Sequence, residues 1–166
     1  MPRSKMPSRR VPQGEAWLTH ENPLIEDAFQ IEVEASLSSI RSLLSDLREC
    51  LGAMGLNDDD CGTIEIALAE ILNNIVEHAY APVCEGPIRL SGSRSGQILR
   101  IELCDRGRAM PSLALPDQGF PDASVAREAL PEGGFGWALI RALSHSLDYQ
   151  RDGYRNRLRV EFLTNA

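Results

Sequence analysis

The spacing of hydrophobic residues changes several times along the chain, which predicts alternating strands and helices. Residues 28–33 alternate apolar and polar side chains, as in a strand with one buried face. Apolar residues then recur every three or four positions over 37–51, which predicts a helix. Ser36 or Ser38 can cap its first turn. The chain therefore opens its folded part with a strand followed by a helix.

The middle of the chain predicts a second helix and a hairpin. Asn57 can cap a helix that runs to about Ala79, and three aspartates after the cap suit the positive end of the helix dipole. Residues 88–93 and 97–104 have strand character, and the polar residues 94–96 between them predict a short hairpin turn.

The last third predicts a long loop, a helix and two strands. Residues 106–132 are rich in Pro, Gly, Asp and Ser, and we expect a lid there. A helix over 137–143 and two strands around Asp152-Gly153 complete the chain. The expected fold is an α/β two-layer sandwich, in which a mixed, mostly antiparallel sheet carries helices on one face. Residues 1–23 are expected to be a flexible N-terminal arm, and residues 24–166 one domain.

Composition excludes several functional classes. The chain has 166 residues, 43% of them hydrophobic, and a net charge of -7, which is typical of one globular domain and disfavours non-specific binding of nucleic acid. Lys5 is the only lysine. A Walker P-loop, the common protein-kinase fold and pyridoxal chemistry each require a lysine in the folded domain, so none of them is expected.

Cysteine spacing and hydropathy bear on the location of the protein. Four cysteines form no CxxC pair and no zinc-type cluster, and we expect them to be reduced thiols. The sequence contains neither a secretory signal pattern nor an apolar run long enough to cross a membrane. These features predict a cytoplasmic protein without a membrane partner.

The second helix carries the first candidate motif. Glu70 and Asn74 are one turn apart, and Asn73 and Glu77 lie on the same polar side of the helix. The Asn74 amide oxygen can ligate a hard cation, and the Glu70 carboxylate can accept a proton. The alternative is an ordinary solvated face of an amphipathic helix.

Two glycine motifs follow. Asp105 and Gly107 stand at the end of a predicted strand, where the carboxylate suits an adenine amino group and the glycine permits close approach. Residues 132–136, Glu-Gly-Gly-Phe-Gly, precede a helix whose amides and dipole can bind phosphate without a lysine. The alternatives are a plain Asp-x-Gly turn and a flexible glycine loop.

Taken together, the motifs resemble the nucleotide site of the GHKL ATPases, which have the Bergerat or histidine-kinase-like ATPase fold. The similar stretches are Glu-x-x-x-Asn-x-x-x-His-Ala-Tyr at 70–80, Asp-x-Gly-x-Ala at 105–109 and Gly-Gly-Phe-Gly at 133–136. Within that superfamily the chain looks most like the stand-alone anti-sigma-factor serine kinases of bacteria. The resemblance extends over about residues 26–163.

The resemblance implies roles for individual residues, with ATP and Mg²⁺ as cofactors. Glu70 would be the general base, and Asn74 would hold the metal. Asp105 would bind adenine beside Gly107. The positions that the resemblance assigns to nucleotide binding are Asn73, Asp105, Gly107, Ala109, Gly133, Gly134, Phe135 and Gly136.

Two features depart from the family pattern. Trp137 stands where the family usually has a smaller aliphatic residue. The lid has no lysine that could reach the γ-phosphate, and four arginines are alternatives for that role. They are Arg106, Arg108, Arg127 and Arg141.

The resemblance implies a protein-serine kinase that binds a sigma factor and phosphorylates an antagonist of the STAS type, and a homodimer. A nucleotide-gated binding module without phosphotransfer is the main alternative. A metabolic enzyme of the same fold is a third. A separate feature is the alternation of Arg155, Arg157 and Arg159 along the last strand, which could bind an acidic partner or a phosphoprotein or simply face solvent.

Overall fold

The computed structural model describes residues 27–80, 86–117 and 135–165. Five strands and three α-helices are found in these ranges, with a π-helical turn and a 3-10 turn. In chain order they are β1 (Asp27–Glu34), α1 (Leu37–Ala53), α2 (Asp58–Asn74), the π-helical turn (Ile75–Tyr80), β2 (Pro87–Ser95), β3 (Ile98–Asp105), the 3-10 turn (Pro111–Leu113), α3 (Phe135–Leu143), β4 (Ser146–Asp152) and β5 (Arg155–Leu163).

The strands form one sheet in the order β1-β2-β3-β5-β4, and every pairing between them is antiparallel. The predicted two-layer sandwich is therefore confirmed. The parallel pairing that a mixed sheet requires is not found among these strands, because β3 and β5 lie side by side in opposite directions.

The core lies between the helices and one face of the sheet. Alternate residues of the central strands, such as Leu90, Ile101 and Val160, are fully buried. They pack in one cluster with leucines of the helices, such as Leu47 and Leu68. Complete burial of each such side chain stabilises the fold by about 1.5–3 kcal/mol. The opposite sheet face has no helix packed on it in the described part of the chain, and it carries charged and polar residues.

The helix starts follow the capping rules. The Ser36 hydroxyl accepts a hydrogen bond from the Ser39 amide at 3.1 Å, so the cap is Ser36 and not Ser38. The Asn57 side chain accepts from the Asp60 amide at 2.8 Å. Both predicted helices thus begin where their side-chain acceptors place them.

Two predicted boundaries were wrong. The hairpin turn was expected at 94–96, but β2 continues through Ser95, and the turn lies at Gly96, where φ is 58°. Helix α3 starts at Phe135, two residues before the predicted start. The predicted arm and most of the predicted lid lie outside the described residues, so both stay predictions.

Candidate active site

Glu70 and Asn74 face the first turn of α3. Both side chains are half-buried on α2, one helical turn apart. A Cβ atom placed on Gly136 would lie 2.9 Å from Glu70 Oε2 and 3.8 Å from Asn74 Nδ2. Only a glycine leaves this carboxylate its position beside the helix start. Two motifs separated by more than sixty residues therefore meet at one point.

The Asn74 side chain carries an unmet hydrogen-bonding group. Its Nδ2 atom is buried and has no hydrogen-bond partner among the described residues. Such an atom costs about 1–3 kcal/mol unless a ligand satisfies it. The amide can present either its nitrogen to a phosphate oxygen or, after a flip, its oxygen to a cation. Mg²⁺ prefers oxygen ligands, so the site fits a Mg²⁺ ion that is bound together with phosphate.

A π-helical turn joins this part of the site to the Asp105 motif. It runs from Ile75 to Tyr80, directly after Asn74. A Cβ atom on Gly107 would lie 2.6 Å from Ala79 Cβ and 2.7 Å from the Ala79 carbonyl oxygen. The Arg108 amide donates to that same carbonyl at 2.8 Å. Gly107 thus allows the segment after β3 to pack directly on the helix backbone.

Tyr80 fixes the same junction from its other side. Its buried hydroxyl donates to the Pro87 carbonyl at 2.8 Å and accepts from the Arg106 amide at 2.9 Å. Burial raises the pKa of this phenol, so it stays protonated as a donor. The side chain of His78, by contrast, is exposed. Within the His-Ala-Tyr stretch, Ala79 and Tyr80 make the contacts that hold the site together.

Asp105 is a buried acceptor at the end of β3. Its side chain is 6% exposed, and Oδ1 accepts from Asn156 Nδ2 at 2.7 Å and from the Gly107 amide at 2.8 Å. Burial raises the pKa of this carboxyl, while those hydrogen bonds oppose the rise. Both of its hydrogen bonds within the described ranges end on Oδ1. Oδ2 therefore keeps its capacity to accept a hydrogen bond from a ligand.

Three residues that the sequence analysis did not single out hold Asp105 in place. Asn156 stands opposite Asp105 in the β3-β5 register. Its Oδ1 accepts from Arg151 Nη1 and from the Tyr149 hydroxyl, both at 2.7 Å. The Tyr149 hydroxyl also accepts from the Met110 amide at 3.0 Å. This network ties the two C-terminal strands to the segment that follows Asp105.

A sequence signal for Asn156 exists. It starts the alternation Asn156, Leu158, Val160, Phe162, whose members are all buried on the helix side of β5. A polar residue in a buried register needs hydrogen-bond partners. The roles of Arg151 and Tyr149 could not be predicted in this way, because they depend on the pairing of β4 with β5.

Most of the other predicted nucleotide-binding residues are at least partly accessible in the structure. Asn73 is half-buried on α2, Ala109 is half-buried after β3, and Phe135 is an exposed first residue of α3. Trp137 packs against the core. Gly133 and Gly134 lie outside the described residues, so their roles stay predictions.

Of the four arginines considered for the lid, Arg141 has a structural partner. Its Nη2 donates to the Pro116 carbonyl at 2.9 Å, which ties α3 to the last described part of the predicted lid. Arg106 and Arg108 have exposed side chains, and Arg127 lies outside the described residues.

Other chemistry is limited in the described part of the chain. Cys50, Cys61 and Cys104 are free thiols there. Those ranges hold no group of three or more His, Cys, Asp or Glu side chains arranged to bind a metal. None of their helices has the length and hydropathy needed to span a bilayer.

Comparison with known proteins agrees with this geometry. Residues 33–162 match the family described as the histidine kinase-like ATPase domain. The chain is 35% identical over 96 residues to the serine/threonine-protein kinase BtrW of Bordetella bronchiseptica, a match that spans 57% of this chain and 65% of that protein. It is 32% identical over 100 residues to the serine-protein kinase RsbW of Halalkalibacterium halodurans, spanning 60% of each. The chain thus spans just under two thirds of the length of these relatives.

A solved structure shares the fold. The crystal structure of the RsbU and RsbW domains of Rv1364c from Mycobacterium tuberculosis superposes with a TM-score of 0.58 at 21% identity, covering 82% of this chain and 32% of that one. The family match extends over residues 33–162, which include Glu70, Asn74 and Gly136 where they meet in the structure. The chain belongs to the histidine kinase-like ATPase domain family, and it is similar to members of that family named as serine or serine/threonine-protein kinases.

Proposed function

We propose that this protein is an ATP-dependent protein-serine kinase and anti-sigma factor. In this proposal it binds a sigma factor and phosphorylates a serine or threonine of an anti-sigma-factor antagonist of the STAS type. The relatives named as serine kinases support the reaction class. A kinase with these partners would work in the cytoplasm, and the family resemblance favours a homodimer.

The observation that carries the proposal is the position of the Glu70 carboxylate beside Gly136. In this role, Glu70 accepts the proton of the substrate hydroxyl while the hydroxyl oxygen bonds to the γ-phosphorus and the bond to the β-phosphate oxygen breaks. A positioned general base contributes about 10²–10⁴-fold to such a rate. A module that only binds nucleotide needs no base at this point.

The other residues bind and orient. Asn74 would hold Mg²⁺, which neutralises phosphate charge when bound. The first-turn amides of α3, which include that of Gly136, would donate hydrogen bonds to phosphate oxygens. Asp105 Oδ2 accepts from the adenine amino group, and its Oδ1 is held by Asn156. Phosphoryl transfer depends mostly on such positioning and charge neutralisation.

The test compares Glu70→Gln with a charge-matched control. Glu65→Gln removes the same charge from α2, at a residue that pairs with Arg48 on α1 instead of facing α3. Titration calorimetry with ATP and Mg²⁺ measures binding, and transfer of radiolabelled phosphate to a purified STAS-domain protein from the same genome measures activity. We expect Glu70→Gln to bind ATP as the wild type does and to lose at least about a hundredfold in transfer. Unchanged transfer would remove Glu70 from the mechanism.

A second variant tests the metal. Asn74→Ala should abolish the dependence of ATP binding on Mg²⁺, because the amide is the metal ligand. ATP binding by the wild type with no transfer to any STAS protein would favour the nucleotide-gated binding module.

A further inference from the structure

Arginines cluster on the sheet face that lies opposite the helices. In the strand register, Arg89 on β2 and Arg157 on β5 stand on either side of Cys104 on β3. One step along the same face, Arg159 stands opposite Glu102. Arg155 continues the row along β5, two residues before Arg157. These residues come from three neighbouring strands and share one surface.

The surface is concave. A cavity of about 640 Å³ opens on it at the end of the sheet where β3 leaves for the predicted lid. Its charged lining residues are six arginines and three acids, a formal excess of three positive charges in a chain whose net charge is -7. They are Arg89, Arg106, Arg151, Arg155, Arg157, Arg159, Glu102, Asp105 and Asp152. A local field of this sign attracts anions.

Arg89 is paired with Glu32 on β1, whereas Arg157 and Arg159 at the centre of the cavity have one carboxylate between them. One carboxylate, Glu102, lies 3.7 Å from Arg157 Nε and 3.3 Å from Arg159 Nη2, so it is shared between two guanidinium groups. The Nε atom of Arg159 is buried and has no hydrogen-bond partner among the described residues. A further oxygen acceptor at this point would satisfy a donor that the protein itself leaves unmet.

The spacing of the arginines selects an extended ligand. Alternate residues of a strand are about 6.6 Å apart, so the row from Arg155 to Arg159 is about 13 Å long. Carboxylates at alternate positions of an extended peptide have the same spacing, whereas the groups of a compact phosphate do not. At the rim, Tyr154 is 85% exposed beside Arg155 and Arg106. Tyrosine and arginine are the residues enriched at protein interfaces.

We propose that this cavity, the arginine groove, binds an extended acidic segment of a protein partner with carboxylates at alternate positions. One end of the groove reaches Asp105, which the proposed function assigns to adenine. Its central residues Arg157 and Arg159 lie in the opposite register, across the sheet from α2 and Gly136, so binding at these two arginines is separate from nucleotide binding and phosphotransfer. It goes beyond the proposed function and does not depend on it.

The experiment uses the full chain and a fluorescein-labelled peptide of alternating glutamate and threonine. Fluorescence anisotropy measures its affinity for wild type, Arg157→Glu, Arg157→Gln and Arg41→Glu. Arg41 is exposed on α1, in the helix layer. Arg41→Glu therefore changes the net charge by the same amount as Arg157→Glu, at a site remote from the groove. We expect Arg157→Glu to weaken binding at least about tenfold, Arg157→Gln to weaken it less, and Arg41→Glu to leave it near the wild-type value.

Further measurements distinguish an extended acidic peptide from a compact phosphate and from a second copy of the chain. A peptide of the same composition with its glutamates contiguous should bind more weakly, and tripolyphosphate should compete poorly. Equal losses in Arg157→Glu and Arg41→Glu would reduce the effect to net charge and overturn the proposal. Displacement of the peptide by tripolyphosphate at lower concentrations than by unlabelled peptide, lost in Arg157→Glu, would make the groove a compact phosphate site. A wild-type dimer that Arg157→Glu dissociates in sedimentation, without peptide binding, would make it an interface between two copies. ATP affinity should not change in any variant, which keeps this test independent of the kinase proposal.

Discussion

Replacement of Gly107 by alanine tests the contact that joins the two halves of the site. The added Cβ would lie 2.6 Å from Ala79 Cβ and 2.7 Å from the Ala79 carbonyl carbon. Carbon atoms in contact are normally about 3.5–4.0 Å apart, so the overlap is about 1 Å. The atoms it meets belong to a helix backbone and to a methyl group, neither of which can rotate away. The segment after β3 must therefore move off the π-helical turn.

The expected loss of stability is the sum of two effects. Overpacking of this kind costs about 1–3 kcal/mol. Displacement also breaks the hydrogen bond from the Arg108 amide to the Ala79 carbonyl, worth about 0.5–1.5 kcal/mol. We therefore expect Gly107→Ala to lower the free energy of unfolding by about 2–4 kcal/mol, which lowers Tm by about 4–16 °C for a chain of this size.

The assay is urea and thermal unfolding, with Gly62→Ala as the control. Gly62 lies within α2, and a Cβ placed there meets nothing within 4 Å. The control should therefore gain about 0.5–1 kcal/mol from helix propensity. Calorimetry at 25 °C should also show weaker ATP binding by Gly107→Ala, because Asp105 and Gly107 share a hydrogen bond. Equal stability of Gly107→Ala and the wild type would refute the close packing of these segments.

Other variants probe the network and the helix start. Burial raises the pKa of Asp105, so the folded state favours the protonated carboxyl more than the unfolded state does. The wild type should therefore lose stability as pH rises from about 4, the pKa of the unfolded chain, through the raised pKa of the folded state. Asp105→Asn should remove this loss in urea titrations at several pH values, and it should weaken ATP binding at least about tenfold at pH 7 because the free acceptor is gone. Asn156→Ala leaves the hydrogen-bond partners of a buried amide unsatisfied, so it should lower the free energy of unfolding by about 2–4 kcal/mol in thermal unfolding. Tyr149→Phe should lower it by about 1–2 kcal/mol, and equal losses in the two variants would contradict the network. The Cβ added in Gly136→Ala would displace the flexible end of the Glu70 side chain, so phosphotransfer should fall. The free energy of unfolding should change by less than about 1 kcal/mol. A larger loss of stability would mean that α3 packs on α2 differently at Gly136.

Local patterns were sufficient to predict most of the elements. The 3.6-residue spacing of apolar residues marked α1 and α2, because an amphipathic helix buries one stripe. Alternation marked the strands, because successive side chains point to opposite faces. One error fell at the β2-β3 turn, whose position is set by the register that puts Ser95 opposite Ile98. The other fell at the start of α3, a helix that packs on the distant helix α2.

The site divides in the same way. The residue types and their spacing in the sequence were sufficient to nominate Glu70, Asn74 and Asp105, because each motif is local. Their meeting with Gly136 and Ala79 required the packing of α3 on α2 and of the segment after β3 on the π-helical turn. Asn156 and the arginine groove likewise arise from strand register, which sets side by side residues that are far apart in the chain. The sequence by itself therefore determined the chemistry that is available, and tertiary structure decided which groups come within reach of one another, since distances across a sheet or between helices depend on long-range pairing and not on neighbouring residues.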